Sequence, residues 1–251
     1  MLFSAKISAR TLREVFAAIS TLIDEVTFNV SPEGIRLRAM DPSRVAMVDF
    51  VMGRSAFEEF VAEESFKLGL NVSELLKLLK RAGRDESVEL LFDEDTGQLK
   101  VTIRGKYTRT FNMPTLEASE EEVPTPRITF NASATLTTDG LRQALEDVAL
   151  VSDHVRIEAD EEKVMMNGKG DLMGATIELK KGSDALLSLE VKEPTKATFS
   201  LSYLSEIVKA AAATSDVVTI EFSTDMPIKL DFKQPYEGKL TYYLAPRIEV
   251  E

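Results

Sequence analysis

Polar and apolar positions alternate over Phe3 to Ile7, over Val26, Phe28 and Val30, over Ile35, Leu37 and Ala39, and over Val45 to Met52. A period of two predicts strands that bury one face. Between the first two of them, Thr11 to Leu22 spaces its apolar residues as a helix does. The same order then returns: a strand at Phe66 to Leu70, a helix at Ser73 to Ala82 with Ser73 as a favourable N-cap, and strands marked by Val88 and Leu90, by Leu99, Val101 and Ile103, and by Tyr107 to Met113. Asp95-Thr96-Gly97 reads as a hairpin turn. In the second half, a helix from Asp139 to Leu150 follows Thr138, and strands are marked by Val155, Ile157, Val164 and Met166. A last helix, Ser202 to Ala213, precedes strands at Val217 to Phe222, Ile228 to Phe232 and Leu240 to Leu244.

The four helices have anchoring leucines at Leu12, Leu75, Leu141 and Leu204, in steps of 63, 66 and 63 residues, so the halves are offset by 129. One module is used four times. Between the halves, Pro114, Pro124 and Pro126 stand among Glu117, Glu120, Glu121 and Glu122, which makes this stretch extended and acidic rather than helical. The predicted organisation is a domain over residues 1–114, a connector over 115–127 and a similar domain over 128–251. The fold class is α+β, with two βαβββ modules per domain. Strands with one apolar face need a helix layer on one side only, so helices of adjacent modules should share one face of antiparallel sheets.

Composition narrows the chemistry. The 251 residues are 44% hydrophobic and 29% charged, enough for real cores. No cysteine is present, which excludes a disulfide framework, a thiol nucleophile and thiolate metal sites, and the lone His154 cannot build a histidine cluster. The apolar runs are short and charges enter early, so neither a signal peptide nor a membrane span is expected. The pattern is that of a soluble internal protein. Abundant Glu, Lys and Arg also resemble a thermophile bias.

Net charge is −12, yet the repeat carries cations with it: adding 129 to Arg13 gives Arg142, and to Lys80 gives Lys209. In the second helix Lys77, Lys80, Arg81 and Arg84 fall at i, i+3, i+4 and i+7, opposite the leucine stripe, and this face reads as cationic without an acid. One such helix is ordinarily a solvated face, but its repetition predicts a continuous basic surface. That surface suits a phosphate backbone. Phe16 is the sole aromatic in this reading of the helices and sits on the apolar side, so no stacking platform for single strands is expected, and duplex contact without sequence reading is the better fit. The acidic remainder would repel nucleic acid elsewhere.

Three stretches closely resemble the proliferating cell nuclear antigen family of sliding clamps: Met40-Asp41-Pro42-Ser43-Arg44-Val45, Gly69-Leu70-Asn71 leading into Leu78-Leu79-Lys80-Arg81-Ala82-Gly83, and Leu240-Thr241-Tyr242-Tyr243-Leu244-Ala245-Pro246-Arg247-Ile248-Glu249. The resemblance runs in register along the whole chain. It implies a non-enzymatic trimeric ring, without cofactor, metal or membrane, that encircles double-stranded DNA and serves as polymerase processivity factor. Arg13, Lys80, Arg142 and Lys209 would line the channel, assisted by Arg10, Lys77, Arg81 and Arg84. Glu146 and Ser202 stand where relatives can carry arginine, which makes the second domain less positive.

The resemblance also implies a hydrophobic pocket for short peptides of replicative polymerase, flap endonuclease and ligase, besides contact with a clamp loader. Its residues would be Met40, Val45, Met47, Val123, Pro124, Pro126, Pro227, Tyr243, Ala245 and Pro246, with Arg44 at the edge. By themselves Met40 and Met47 read as core filling, and Ala245-Pro246 as a strand terminator. Subunits would pair through Tyr107 to Met113, including Phe111, and Thr176 to Lys181, including Glu178. Arg109, Arg81 and Arg84 would face Asp139 and Asp147 of the neighbour. A heterotrimer of paralogous subunits would have the same geometry. The expected compartment is the cytoplasm if archaeal, the nucleus if eukaryotic.

Other features read blandly. Gly168, Gly170 and Gly174 lie between strand patterns without a following helix and predict a turn, not a phosphate loop. Glu120 to Glu122 read as solvated charge rather than a metal site. His154 could face DNA or cap the preceding helix, and the cap is favoured. A metal nuclease drawing on Asp41, Asp49 and Asp171 is a remote alternative that lacks convergent spacing.

Overall fold

In the computed structural model, which describes residues 2–120 and 123–248, the first module folds as β1 (Leu2–Ser8), α1 (Ala9–Ser20), β2 (Glu25–Ser31), β3 (Gly34–Met40) and β4 (Ala46–Gly53). A short strand absent from the sequence pattern, β5 (Glu59–Ala62), leads to β6 (Phe66–Asn71), α2 (Val72–Leu79), β7 (Ser87–Asp93), β8 (Gln98–Arg104) and β9 (Thr108–Pro114). The third module is β10 (Ala132–Thr137), α3 (Thr138–Ala149), β11 (His154–Ala159), β12 (Lys163–Lys169) and β13 (Gly174–Lys180). An added β14 (Leu186–Val191) precedes β15 (Thr195–Ser200), α4 (Leu201–Ala211), β16 (Val217–Phe222), β17 (Ile228–Lys233) and β18 (Lys239–Leu244). Strand β14 escapes a period-two reading because its pairing with β10 shifts register at Thr135/Leu136. Glu121, Glu122 and Glu249 lie outside the described residues.

Contacts divide the chain into two units: Met1–Met40, Val48–Val123 and Gln234–Leu240 form one, and Asp41–Met47, Pro124–Lys233 and Thr241–Glu251 the other. In the N-terminal unit one antiparallel sheet has the order β5-β1-β7-β8-β9, and β6, β2, β3 and β4 follow one another in a second. Helices α1 and α2 pack together, and α1 spans both layers, meeting β1 and β7 while its Phe16 ring stacks on Phe28 of β2 at 5.6 Å. The C-terminal unit repeats this with β13-β12-β11-β15, the run β14-β10-β16-β17-β18, and the packed pair α3 and α4. The repeat leucines are the physical centre of each module: Leu12 and Leu75 are 0% exposed, Leu141 2% and Leu204 1%. Removing water from each contributes on the order of 2 kcal/mol.

Helix α2 departs from expectation at both ends. Its cap is Asn71, whose side-chain oxygen accepts the Glu74 N–H at 2.9 Å, because β6 runs directly into the helix and leaves Asn71 extended (φ −84°, ψ 104°). The Ser73 hydroxyl bonds Asp24 instead. The helix stops at Leu79 with Lys80 as C-cap, where the Glu86 carboxylate accepts the Gly83 N–H at 2.7 Å and draws the chain into a turn. Arg81 and Arg84 therefore lie beyond the helix. His154 likewise opens β11 and caps nothing; its ring faces Arg247. The hairpin and glycine-rich turns form as read, with Gly97 at φ +63° and Gly170 N–H donating to Met173 O at 2.9 Å.

The first half of the connector is fastened to the N-terminal unit. Leu116 N–H donates to Gly69 O at 2.9 Å, Ser119 N–H to Thr27 Oγ1 at 2.9 Å, and Lys67 pairs with Glu120 at 2.7 Å. It covers the free side of β6, an edge that would otherwise offer unpaired backbone groups. Such close approach explains Gly69, where a Cβ would lie 2.5 Å from Leu116 O. Gly69→Ala is expected to cost about 1–3 kcal/mol and to speed proteolysis within residues 115–127. Denaturant titration and limited proteolysis check this; an unchanged connector would show that the strand tolerates the added methyl.

Candidate nucleic-acid interface and partner site

The helix cations of the N-terminal unit divide into paired and unpaired groups. Arg10 is bound to Glu14 at 2.7 Å, and Lys77 to Glu74 at 2.5 Å. The expectation of an acid-free face is thus corrected: Glu74 in the first turn sits three residues before Lys77 and meets it. Arg13 is half-buried and donates to Ala82 O at 3.1 Å, tying α1 to the turn after α2. Lys80, Arg81 and Arg84 are exposed, and none has an ion-pair partner among the described residues. The free positive charge therefore gathers at the C-terminal end of α2, where the helix dipole is negative and also favours cations.

In the C-terminal unit the acids dominate. Arg142 is clamped by Asp139 at 2.6 Å and Glu146 at 2.7 Å, whose hydrogen bonds raise its pKa further. Lys209 is exposed and without an ion-pair partner among the described residues. Helices α3 and α4 together set two cations, Arg142 and Lys209, against four acids, Asp139, Glu146, Asp147 and Glu206. A phosphate approaching this pair meets Lys209 but must compete with carboxylates for Arg142.

The segment Asp41 to Ala46 belongs to the C-terminal unit and is built around one carboxylate. Asp41 is 4% exposed; its Oδ1 accepts the N–H groups of Val45 and Ala46, both at 2.7 Å, and its Oδ2 accepts Ser43 N–H at 3.1 Å and the Tyr203 hydroxyl at 2.9 Å. Burial pushes its pKa up, but the bonds from Ala46, Tyr203, Val45 and Ser43 together outweigh that and hold it below the ordinary value. A depressed folded pKa means stabilisation that is complete above the unfolded value near 3.9 and lost as pH falls through the folded one. The loop is therefore held at neutral pH. Arg44 sits at φ +58°, a conformation uncommon for a residue with a side chain.

Around this loop the apolar residues are partly open. Val45 O accepts the Ala245 N–H at 2.9 Å, and Arg247 N–H donates to Thr198 O at 2.7 Å, so the tail is pinned on either side of Pro246. Val45, Pro126, Pro227, Tyr243, Ala245 and Pro246 are half-buried, Arg44 and Pro124 are exposed. Met47 differs: at 4% exposed it belongs to the core, the reading its sequence context favoured. Met40 and Val123 are half-buried residues of the N-terminal unit, where Arg38 donates to Val123 O at 3.3 Å. Sequence reasoning counted Phe16 as the sole helix aromatic and so missed Tyr203, which lies in α4. The signal was a tyrosine beside an anchoring leucine, since a partly buried phenol needs a partner for its hydroxyl.

Two of the edge strands carry the residues expected to pair subunits. Strand β9 ends the N-terminal sheet and β13 the C-terminal one. On β9, Phe111 is half-exposed and Tyr107 66% exposed. Arg109 is engaged within its own unit: it donates to Arg81 O at 2.8 Å, pairs with Glu86 and lies 4.9 Å over the Tyr107 ring. On β13, Ile177 is half-exposed, Thr176 donates to Asn167 at 2.9 Å and Glu178 pairs with Lys163 at 2.7 Å. Of the charges expected across a subunit boundary, Asp139 is likewise taken by Arg142, whereas Arg84 and Asp147 are exposed and unpaired among the described residues.

Four βαβββ modules in two similar units, packed helix pairs with free lysines at repeat-equivalent places, and an open strand on each unit define the class of clamp-like replication proteins. The chain belongs to the proliferating cell nuclear antigen family: residues 1–120 match the N-terminal domain of that family and residues 125–247 its C-terminal domain. It is 37% identical over 243 residues to DNA polymerase sliding clamp 1 of Pyrobaculum aerophilum, covering 97% of each chain, and 37% identical over 249 residues to the DNA polymerase sliding clamp of Cenarchaeum symbiosum, covering 99% of each. The crystal structure of the Thermococcus kodakaraensis antigen superposes with a TM-score of 0.92 at 28% identity, covering 98% of this chain and 100% of that one. A PCNA2–PCNA3 complex from Sulfolobus tokodaii gives 0.89 at 29% identity, covering 99% and 100%.

Proposed function

We propose that this chain is an archaeal-type DNA polymerase sliding clamp: a non-enzymatic trimeric ring that encircles duplex DNA in the cytoplasm without reading sequence. The observation that carries the DNA contact is charge sorting. In a chain of net charge −12, Lys80, Arg81, Arg84 and Lys209 are exposed and unpaired at the helix pairs, among the described residues. The loop Asp41 to Val45 with the tail at Ala245 and Pro246 takes short peptides of the replicative polymerase, flap endonuclease and ligase, and a clamp loader opens the ring. Of the three carboxylates a metal nuclease would draw on, Asp41 is engaged by its four donors and Asp49 by Arg38 at 3.1 Å and Lys239 at 2.7 Å, which leaves Asp171 alone and exposed among the described residues.

Lys80→Ala with Lys209→Ala is expected to weaken duplex binding and to lower the slope of log K against log salt by roughly 0.9 per lost phosphate contact. Arg142→Ala should change it less, because two carboxylates already neutralise that guanidinium. Conversely, Asp139→Asn with Glu146→Gln should tighten binding. Fluorescence titration of a labelled duplex over a salt series checks all three; an unchanged slope in the double lysine variant, with assembly intact, would remove these helices from the DNA face.

A homotrimer is the favoured assembly, since one chain carries both strands of the proposed interface, β9 and β13. The likeness to the PCNA2–PCNA3 complex gives the second reading, a ring of paralogous subunits. The mass of the purified chain in solution separates the two.

A further inference from the structure

The loop that follows β3 is strained and over-determined together. Arg44 holds φ +58°, and five bonds fix the turn around it: Arg44 N–H to Asp41 O at 2.9 Å, Asp41 N–H to Ala46 O at 2.9 Å, and the N–H groups of Ser43, Val45 and Ala46 to the Asp41 carboxylate. Backbone strain of this kind persists only where its surroundings enforce it, and it clusters at ligand clamps. All five bonds are local to the loop. The bond from outside to the Asp41 carboxylate comes from the Tyr203 hydroxyl in the first turn of α4, 162 positions along the chain. On the other side Val45 O receives the tail through Ala245 N–H.

We infer that Tyr203 is a positioning residue for the partner-peptide site: its hydroxyl locks Asp41, and thereby the Ser43-Arg44-Val45 rim and the tail that pairs with Val45, in the arrangement a peptide meets. This rests on the proposed peptide site. Tyr203 touches the loop through the Asp41 carboxylate and acts through it rather than on the peptide. Losing the hydroxyl leaves the Asp41 carboxylate with three backbone donors, so the fold persists, but the loop spends part of its time in other conformations. Affinity then falls by the fraction of time the competent conformation is lost.

The test is the kinetics of the full-length protein and its Tyr203→Phe variant with a synthetic peptide copying the C-terminal tail of an archaeal replicative polymerase. About tenfold weaker binding is expected, the size set by one hydrogen bond to a charged group. The loss should lie in the association rate, with dissociation unchanged, since the bound loop is the same. Asp41→Asn, which turns one acceptor oxygen into a donor, should give the same pattern, and adding Tyr203→Phe to it should cost little more. Unchanged affinity in Tyr203→Phe overturns the inference, as does faster dissociation at an unchanged association rate, which would make Tyr203 a direct contact. Additive losses in the double variant overturn it too. Absence of peptide binding by the unmodified protein would instead refute the peptide site itself.

Discussion

Met47→Asp is expected to destabilise the C-terminal unit severely rather than to act only on peptide binding. Met47 is 4% exposed in β4, flanked by Ala46 at 1% and Val48 at 0%. A carboxylate there has neither water nor a cation to meet, and an unpaired buried charge costs on the order of 3–5 kcal/mol. Total stability of such a unit is about 5–15 kcal/mol, so much of it is lost. Val45→Asp, two positions earlier, is a cleaner probe. Its side chain is half-buried and a charge there reaches solvent, so the fold should lose less than about 1 kcal/mol. Peptide affinity should nevertheless fall at least about a hundredfold, because an apolar peptide side chain would bury that charge. Urea titration and peptide calorimetry on both variants decide it. A stable Met47→Asp protein, or Val45→Asp with undiminished affinity, would misplace the site.

Phe111→Asp should convert the proposed ring to monomers at micromolar concentration without loss of fold. Phe111 faces Val101 across the β8–β9 ladder and is half-exposed at an edge strand, where a neighbouring strand would cover it. The proposed contact is heterologous: β9 of one subunit meets β13 of the next. Ile177→Asp should therefore have the same effect from the other edge. The decisive arm is a mixture. The Phe111→Asp chain keeps a sound β13 and the Ile177→Asp chain a sound β9, so together they should form one heterodimer and stop there. Light scattering reads each mass. A trimer from either variant, or a mixture that stays monomeric, would remove these edges from the interface. Arg109, by contrast, is a poor probe: its bonds to Glu86 and Arg81 mean that Arg109→Glu would disturb its own unit before any neighbour.

Patterning along the chain was enough to specify the module, its fourfold use and the core. Alternation along strands and the spacing of Leu12, Leu75, Leu141 and Leu204 are local consequences of burying one face, and each of these leucines is buried where the pattern put it. It also determined the charge sorting that left Lys80 and Lys209 exposed on the helix pairs, and the family resemblance that the comparisons bear out. It overstated the second helix, because periodicity registers Arg81 and Arg84 but not the Glu86 carboxylate that captures Gly83 and ends the helix. Helical spacing already sets Asp139 and Glu146 beside Arg142, three and four residues away. Folding in three dimensions decided the rest: whether Arg109 is available depends on Glu86, 23 residues away. The same holds for Asp41 and Tyr203, separated by 162 positions. No periodicity encodes such a pair, since a hydrogen bond between distant segments is set by how sheets and helices pack, and packing brings together residues whose spacing along the chain carries no trace of their contact.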